Sequence, residues 1–226
     1  MPYVNSLKNI QLRKVFAQKM IQMLTDQKKL INFDETSIQF SCNTKFSWEK
    51  PRGSRRRLIS KEFQSLSMLA AIAPDGEVFF QFLRGYCNEA SVCTFIYDLV
   101  HHLDSVKPDW RRDHILLLDN SATHKTKTVI EVLHLLGVPT TYSAPASYLA
   151  IPIERMFGAL KAKDFEGQEA PEILRRHLPR AIKFTNTQLI LAQISDYLFN
   201  LQQSKILSFY SESLKSLDLF LDLKAI

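Results

Sequence analysis

The chain has 226 residues, 46% of them hydrophobic and 11% aromatic, with a formal net charge of +6. That length sits near the upper range of one domain, and folding should withdraw roughly 70 to 75% of the extended chain's surface from water, which excludes wholesale disorder. No apolar run reaches the roughly 18 residues needed to span a bilayer, and Met1 to Lys14 lacks the apolar stretch of a secretory signal. The expectation is a soluble intracellular protein, neither membrane-spanning nor secreted. Cys42, Cys87 and Cys93 form an odd set with no C-x-x-C pair. They suit neither a disulfide framework nor a cysteine-rich zinc site and read as reduced bystanders.

In chain order, residues 11–29 carry Leu12, Val15, Phe16, Met20 and Met23 at helical spacing and predict an amphipathic lead-in helix. Leu30 to Phe33 reads as a short strand that ends at Asp34, followed by Glu35. Residues 50–61, KPRGSRRRLISK, then hold six bases and no acid, whereas bases and acids balance over the rest of the chain. A positive patch on an otherwise neutral molecule points to a polyanion, most often nucleic acid, or to a solvated or nuclear-targeting loop. Leu66 to Ala73 and Val78 to Leu83 flank Pro74-Asp75-Gly76 and predict a hairpin. Asn88 is placed to cap a helix whose inner face is Val92, Phe95, Ile96, Leu99, Val100 and Leu103. Ile115 to Leu118 is apolar throughout and meets Asp119-Asn120, as a strand buried on both faces would. A helix from about Thr126 to Leu136 follows, with Val129, Val132, Leu133 and Leu136 inward and Gly137 as its C-terminal cap. Val138 to Tyr142 is a further strand and Pro145 to Ile151 a loop. Pro152 opens a helix with Ile153, Met156, Phe157 and Leu160 inward and with Glu154 and Lys161 sharing another face. The tail from Glu166 is helical in pattern, with Ile190, Ile194, Tyr197, Leu198 and Leu201 on one stripe.

The order β-β-β-α-β-α-β-α predicts an α/β layer of helices against a mixed sheet. Its expected divisions are a lead-in helix over 1–29, a central α/β domain over 30–165 and a helical tail over 166–226 packed on the core. Asp34 and Asp119 terminate strands expected to be neighbours, and ligand sites in such sheets lie beyond the carboxyl ends of the strands. Glu154, in the first turn of a helix that packs on the same sheet, is the third carboxylate. Three converging carboxylates with little base nearby would raise one another's pKa values unless a cation intervened, and hard oxygen donors suit Mg²⁺ or Mn²⁺. The implied chemistry is phosphoryl transfer at two ions roughly 3.5 to 4 Å apart. Taken singly, each residue also has a structural reading: a strand-ending aspartate as a turn residue, a first-turn glutamate as the complement of the helix dipole. Glu35 reads as a residue that supports the site or faces solvent.

The segments LINFDETSI, LSMLAAIAPDGEVFFQFLRGYCN, ILLLDNSATHKT and TTYSAPASYLAIPIERMFGALK resemble the catalytic domain of mariner-like DDE transposases over about Arg13 to Lys163. Most specific are the DN-x-x-x-H element at Asp119, Asn120 and His124, the P-I-E element at Pro152 to Glu154, and the 34 residues between Asp119 and Glu154. Trp48 and Gly53 match the tryptophan and glycine that usually follow the first aspartate. The resemblance implies an RNase H-like, retroviral-integrase-like fold in which Asp34, Asp119 and Glu154 hold Mg²⁺ or Mn²⁺ for DNA strand cleavage and strand transfer. It also implies double-stranded DNA as partner, a homodimer, and a nuclear location in a eukaryote. His124 and Lys125 are then placed along the DNA backbone, with a structural histidine capping the next helix as the equal alternative for His124. Lys161 reads as a phosphate contact or as an ordinary solvated lysine. Arg52, Arg55, Arg56 and Arg57 would follow phosphates without reading bases.

The pattern departs from the family where Ile151 replaces the asparagine that usually precedes Pro-Ile-Glu, and where Ala144 to Ala150 is slightly long. Family members also carry N-terminal helix-turn-helix units, whereas 33 residues precede Asp34 here. The expectation is a truncated copy, one part of a split reading frame, or a domesticated remnant. Two other functions stay open: a catalytically silent DNA-binding or dimerisation module of transposase descent, and a cellular RNase H-like nuclease.

Overall fold

Leu30, Ile31 and Phe33 are apolar on both sides of one extended segment, and such a segment is stable only with neighbours on both edges and cover on both faces. In the computed structural model, which describes residues 6–38, 66–161, 194–198, 200–201 and 203–221, that segment is the central strand β1 (Lys29–Ile38) of a five-stranded sheet. The hairpin of β2 (Leu66–Ile72) and β3 (Val78–Arg84) lies antiparallel on one side of it. On the other side β4 (His114–Leu118) and β5 (Thr140–Tyr142) run parallel to it, giving the order β3-β2-β1-β4-β5.

Side chains alternate across a strand, so β1 serves two cores. Ile31 and Phe33 face α2 (Glu89–Val106) and α3 (Lys127–Leu135), packing with Val92, Phe95, Ile96 and Leu133. Leu30 faces the opposite layer of α1 (Leu7–Thr25), α4 (Pro152–Lys161) and α5 (Gln203–Leu221). Asn88 caps α2 by accepting from Ser91 N at 3.0 Å, and Gly137 follows α3 at φ 60°, a conformation that favours glycine. On α4 the four inner residues Ile153, Met156, Phe157 and Leu160 are at most 3% exposed. Truncating one of them, as in Met156→Ala, removes about 2–5 kcal/mol.

The helix α5 is tied to the sheet by a buried polar contact. The Tyr210 hydroxyl shares its proton between the carbonyls of Leu30 at 2.7 Å and Ile72 at 2.8 Å, and accepts from Asn32 Nδ2 at 3.3 Å. Arg155 on α4 reaches the same helix, donating to Glu212 Oε2 at 2.9 Å and Ser213 Oγ at 3.3 Å.

Two expectations change. The first strand does not stop at Asp34 but continues to Ile38, because Asp34 to Ile38 remain paired with β2 in the register Asp34↔Ala70 to Ile38↔Leu66. On α1, Leu12 and Val15 turn outward at 40% and 52% exposure. The buried stripe is instead Asn9, Arg13, Phe16, Ala17, Met20 and Met23, whose three- and four-residue steps leave those two off the inner face. In the tail, Ile194 and Leu198 are buried and Tyr197 and Leu201 pack against the α1, α4 and α5 layer. Ile190, Cys42, Trp48, Gly53 and the basic segment with Arg52, Arg55, Arg56 and Arg57 lie outside the described residues.

Candidate active site

The parallel ladder between β1 and β4 ends at the pair Phe33↔Leu118. The next residue on each strand is an aspartate, Asp34 and Asp119, so the register brings both carboxylates to one end of the sheet. Asp34 is buried on the face of Leu30 and Asn32, the face on which α4 lies, and its Oδ1 accepts the amide of Glu35 at 2.8 Å. Asp119 is half-buried, with Oδ1 accepting the Ser121 amide at 2.9 Å. In each aspartate one oxygen is anchored by backbone. Glu154 stands in the first turn of α4, exposed on the outer side of a helix whose inner face is buried against the sheet.

These three groups act on one another. Burial, the charge of Asp119, and then those of Glu35 and Glu154 push the Asp34 carboxyl up to about 8. Desolvation and Asp119 also raise Glu154, against the opposing pull of Lys161. Asp119 goes the other way: although desolvation would raise it, the contact with His124 and the Ser121 amide hold it below the ordinary carboxylate range. Among the described residues no three His, Cys, Asp or Glu side chains are gathered closely enough to enclose an ion. The trio therefore shares an electrostatic field without forming a ready-made coordination shell. Its donor chemistry suits a hard divalent cation, because three carboxylates at one place are stable together only when protonated or neutralised.

His124 is not where a DNA contact would put it. Its ring is fully buried, 5.1 Å from the Phe33 ring, with Nε2 2.8 Å from Glu35 Oε2 and Nδ1 2.6 Å from Asp119 Oδ1. The Nδ1 contact is a close ion pair without the alignment of a hydrogen bond. Burial alone would lower the imidazole's pKa, but Asp119 and Glu35 raise it to about 9. The expected backbone contact is corrected on this ground: no part of the ring reaches the surface. Lys125 is exposed, donating to Asn120 Oδ1 with its ammonium 5.1 Å from the Tyr142 ring centre, and Lys161 is exposed on the Glu154 face of α4.

Glu35, read from the sequence as a residue that supports the site or faces solvent, contacts His124. Its signal was the dipeptide Asp34-Glu35 within a continuing strand, since alternation sends the second residue to the opposite face, toward the helix that follows β4. A hollow of about 540 Å³ lies at the other end of the sheet and is lined by Lys29, Lys107, Trp110, Asp113 and His114, away from the carboxylates.

Comparison with solved structures gives the same fold. The catalytic domain of Mos1 mariner transposase matches with a TM-score of 0.69 and 12% identity, over 98% of this chain and 96% of that one. The Mos1 paired-end complex with the left transposon end matches with a TM-score of 0.68 and 11% identity, over 96% of this chain and 62% of that one. The Mos1 catalytic domain with Raltegravir and Mg matches with a TM-score of 0.55 and 15% identity, over 94% and 96%. The chain thus spans about 62% of the length of the transposase in the paired-end complex. No curated protein sequence matches significantly. The family model of the DDE superfamily endonucleases matches residues 29–173, well over half of the sequence and including Asp34, Asp119 and Glu154, and on that match the chain belongs to the DDE endonuclease superfamily.

Proposed function

We propose that this chain is the catalytic domain of a mariner-like transposase that cuts and joins DNA strands with divalent metal ions. The observation that carries the reading is the end of the β1–β4 ladder at Phe33↔Leu118, which brings Asp34 and Asp119 together beneath α4, near enough to Glu154 that the carboxylates raise one another. Such a cluster is costly to a metal-free fold and has a use only where positive charge is brought to it. Asp34, Asp119 and Glu154 would hold Mg²⁺ or Mn²⁺, one or two ions. When bound, such ions lower the pKa of water or a 3′-hydroxyl and stabilise the oxygen that leaves phosphorus.

The protein's own contribution is positioning. The amides of Glu35 and Ser121 each fix one oxygen of their aspartate and leave the other to a ligand. A cation held there would favour the deprotonated Asp34, against the burial and neighbouring carboxylates that raise it. Lys125 and Lys161, exposed beside the carboxylates, would take phosphates of the DNA backbone, and Arg52, Arg55, Arg56 and Arg57 would extend that track. Support for DNA as substrate comes from the Mos1 relatives, solved as a paired-end complex, a pre-cleavage transpososome and a strand transfer complex. Support for the metals comes from Mos1 structures with Mn and with Mg. A homodimer on paired DNA ends belongs to the same proposal.

The test is nicking of duplex DNA with Mg²⁺ or Mn²⁺ by wild type and by Asp119→Asn. Metal-dependent nicking by wild type alone is the expected result. Equal activity in both proteins, or activity indifferent to the metal, overturns the assignment.

A further inference from the structure

Past the pair Phe33↔Leu118 the backbone no longer joins β1 to β4. The strand β1 runs on beside β2, while the chain after Leu118 turns away into the segment Thr123–Lys125. The next link across the gap is made by side chains. Glu35 leaves β1 on the face opposite Asp34 and meets His124 Nε2 at 2.8 Å, and the other ring nitrogen of His124 lies 2.6 Å from Asp119 Oδ1. The imidazole has no exposed surface, rests against Phe33 at 5.1 Å between centroids, and is held from its own backbone by the Tyr142 hydroxyl, which donates to the His124 carbonyl at 3.2 Å. A strut that begins one residue from Asp34 therefore ends on Asp119.

Resting on the function proposed above, we infer that His124, braced by Glu35, is a positioning residue that sets the Asp119 carboxylate relative to Asp34 so that both serve the same divalent ion. A carboxylate on a loop past the last ladder pair has torsional freedom that the Ser121 amide, on the same oxygen, removes only in part. The ring supplies the second constraint, and Glu35 sets the ring. Residues that orient metal ligands from behind in this way typically account for 10–100-fold in metal affinity or activity. The inference gives Glu35 a role in the site and explains why a buried imidazole stands where the loop after the second aspartate passes the central strand.

Mn²⁺ alone, titrated into the full chain by calorimetry below the melting temperature of each variant, tests the strut. Glu35→Ala is expected to weaken Mn²⁺ binding by about 10- to 100-fold, and His124→Phe, which keeps a ring against Phe33, by at least as much. In Glu35→Gln an oxygen still accepts from His124, so binding is expected to stay within about threefold of wild type. A role confined to stability would lower the melting temperatures of the Glu35 variants without separating their affinities, and that pattern overturns the inference. Wild-type affinity in Glu35→Ala and His124→Phe, with binding lost in Asp119→Asn, overturns the strut and leaves the carboxylate reading standing. Absence of Mn²⁺ binding by wild type overturns both.

Discussion

The two ends of the central sheet carry similar numbers of acids and treat them oppositely. At the end where β1 and β4 begin, Lys107 pairs with Asp75 and, at 2.6 Å, with Glu77; Arg111 pairs with Asp104, and Lys29 lies 3.4 Å from Asp113. There the Arg111 hydrogen bond holds Asp104 below the ordinary carboxylate range. Asp75, Glu77 and Asp113 are also held down, because Lys107 or His114 outweighs their desolvation. At the end where the β1–β4 ladder finishes, Asp34 and Glu154 are raised, and the buried His124 is engaged by Asp119 and Glu35. One end is electrostatically satisfied and contributes to the fold. Among the described residues the other keeps two carboxyls that its neighbours push up instead of down, which is what separates a binding site from a set of surface ion pairs.

The largest expected effect breaks this contrast at the unsatisfied end. Asp34→Asn should reduce metal-dependent nicking by about 10³-fold or more, the scale of several kcal/mol of transition-state stabilisation. Asp113→Asn at the satisfied end should leave nicking unchanged. The same pair reverses in stability. The unfolded Asp34 carboxyl titrates near 3.8 and the folded one at about 8, so the folded chain binds a proton that the unfolded chain lacks, and metal-free stability falls as pH rises between those values. Asp34→Asn removes that loss and should stabilise the metal-free protein at pH 8 by a few kcal/mol, of order. Asp113→Asn should destabilise it, since a lowered carboxyl contributes stability that is present above its unfolded value. Denaturant unfolding at pH 5 and pH 8 measures both.

Tyr210→Phe sharpens the comparison from the middle of the strands, where the hydroxyl grips the carbonyls of Leu30 and Ile72. Leaving those groups and Asn32 without it should cost about 1–3 kcal/mol in the same assay. The smallest effect belongs to Lys107→Met. Its two partners are about one-third exposed, and loss of such pairs should cost no more than about 1 kcal/mol and leave metal affinity untouched.

Much of this contrast was legible in the sequence on one side only. The three acids could be read because strand ends and a proline-opened helix carry local signals, and because Asp119 and Glu154 stand in a family-like spacing. The hairpin, α2 and α4 were legible for the same reason, through turn chemistry, capping and apolar period. The continuation of β1 beyond Asp34 was not, because a buried polar residue inside a strand looks like its end until the partner strand is known. The burial of His124 was legible only as one of two equal readings, a structural histidine beside a contact to the DNA backbone, and only the register of β1 against β4 reveals Glu35 on its other side. Tyr210, 180 residues from Leu30, illustrates the same limit, since its contact depends on how α5 crosses the sheet.

The most direct test of shared metal binding by Asp34, Asp119 and Glu154 is thermal unfolding of the full chain at pH 8 with and without Mn²⁺. The account predicts a melting temperature that rises with Mn²⁺ in wild type and does not respond in Asp34→Asn or Asp119→Asn. A wild-type transition indifferent to Mn²⁺, or an equal rise in all three proteins, would contradict it.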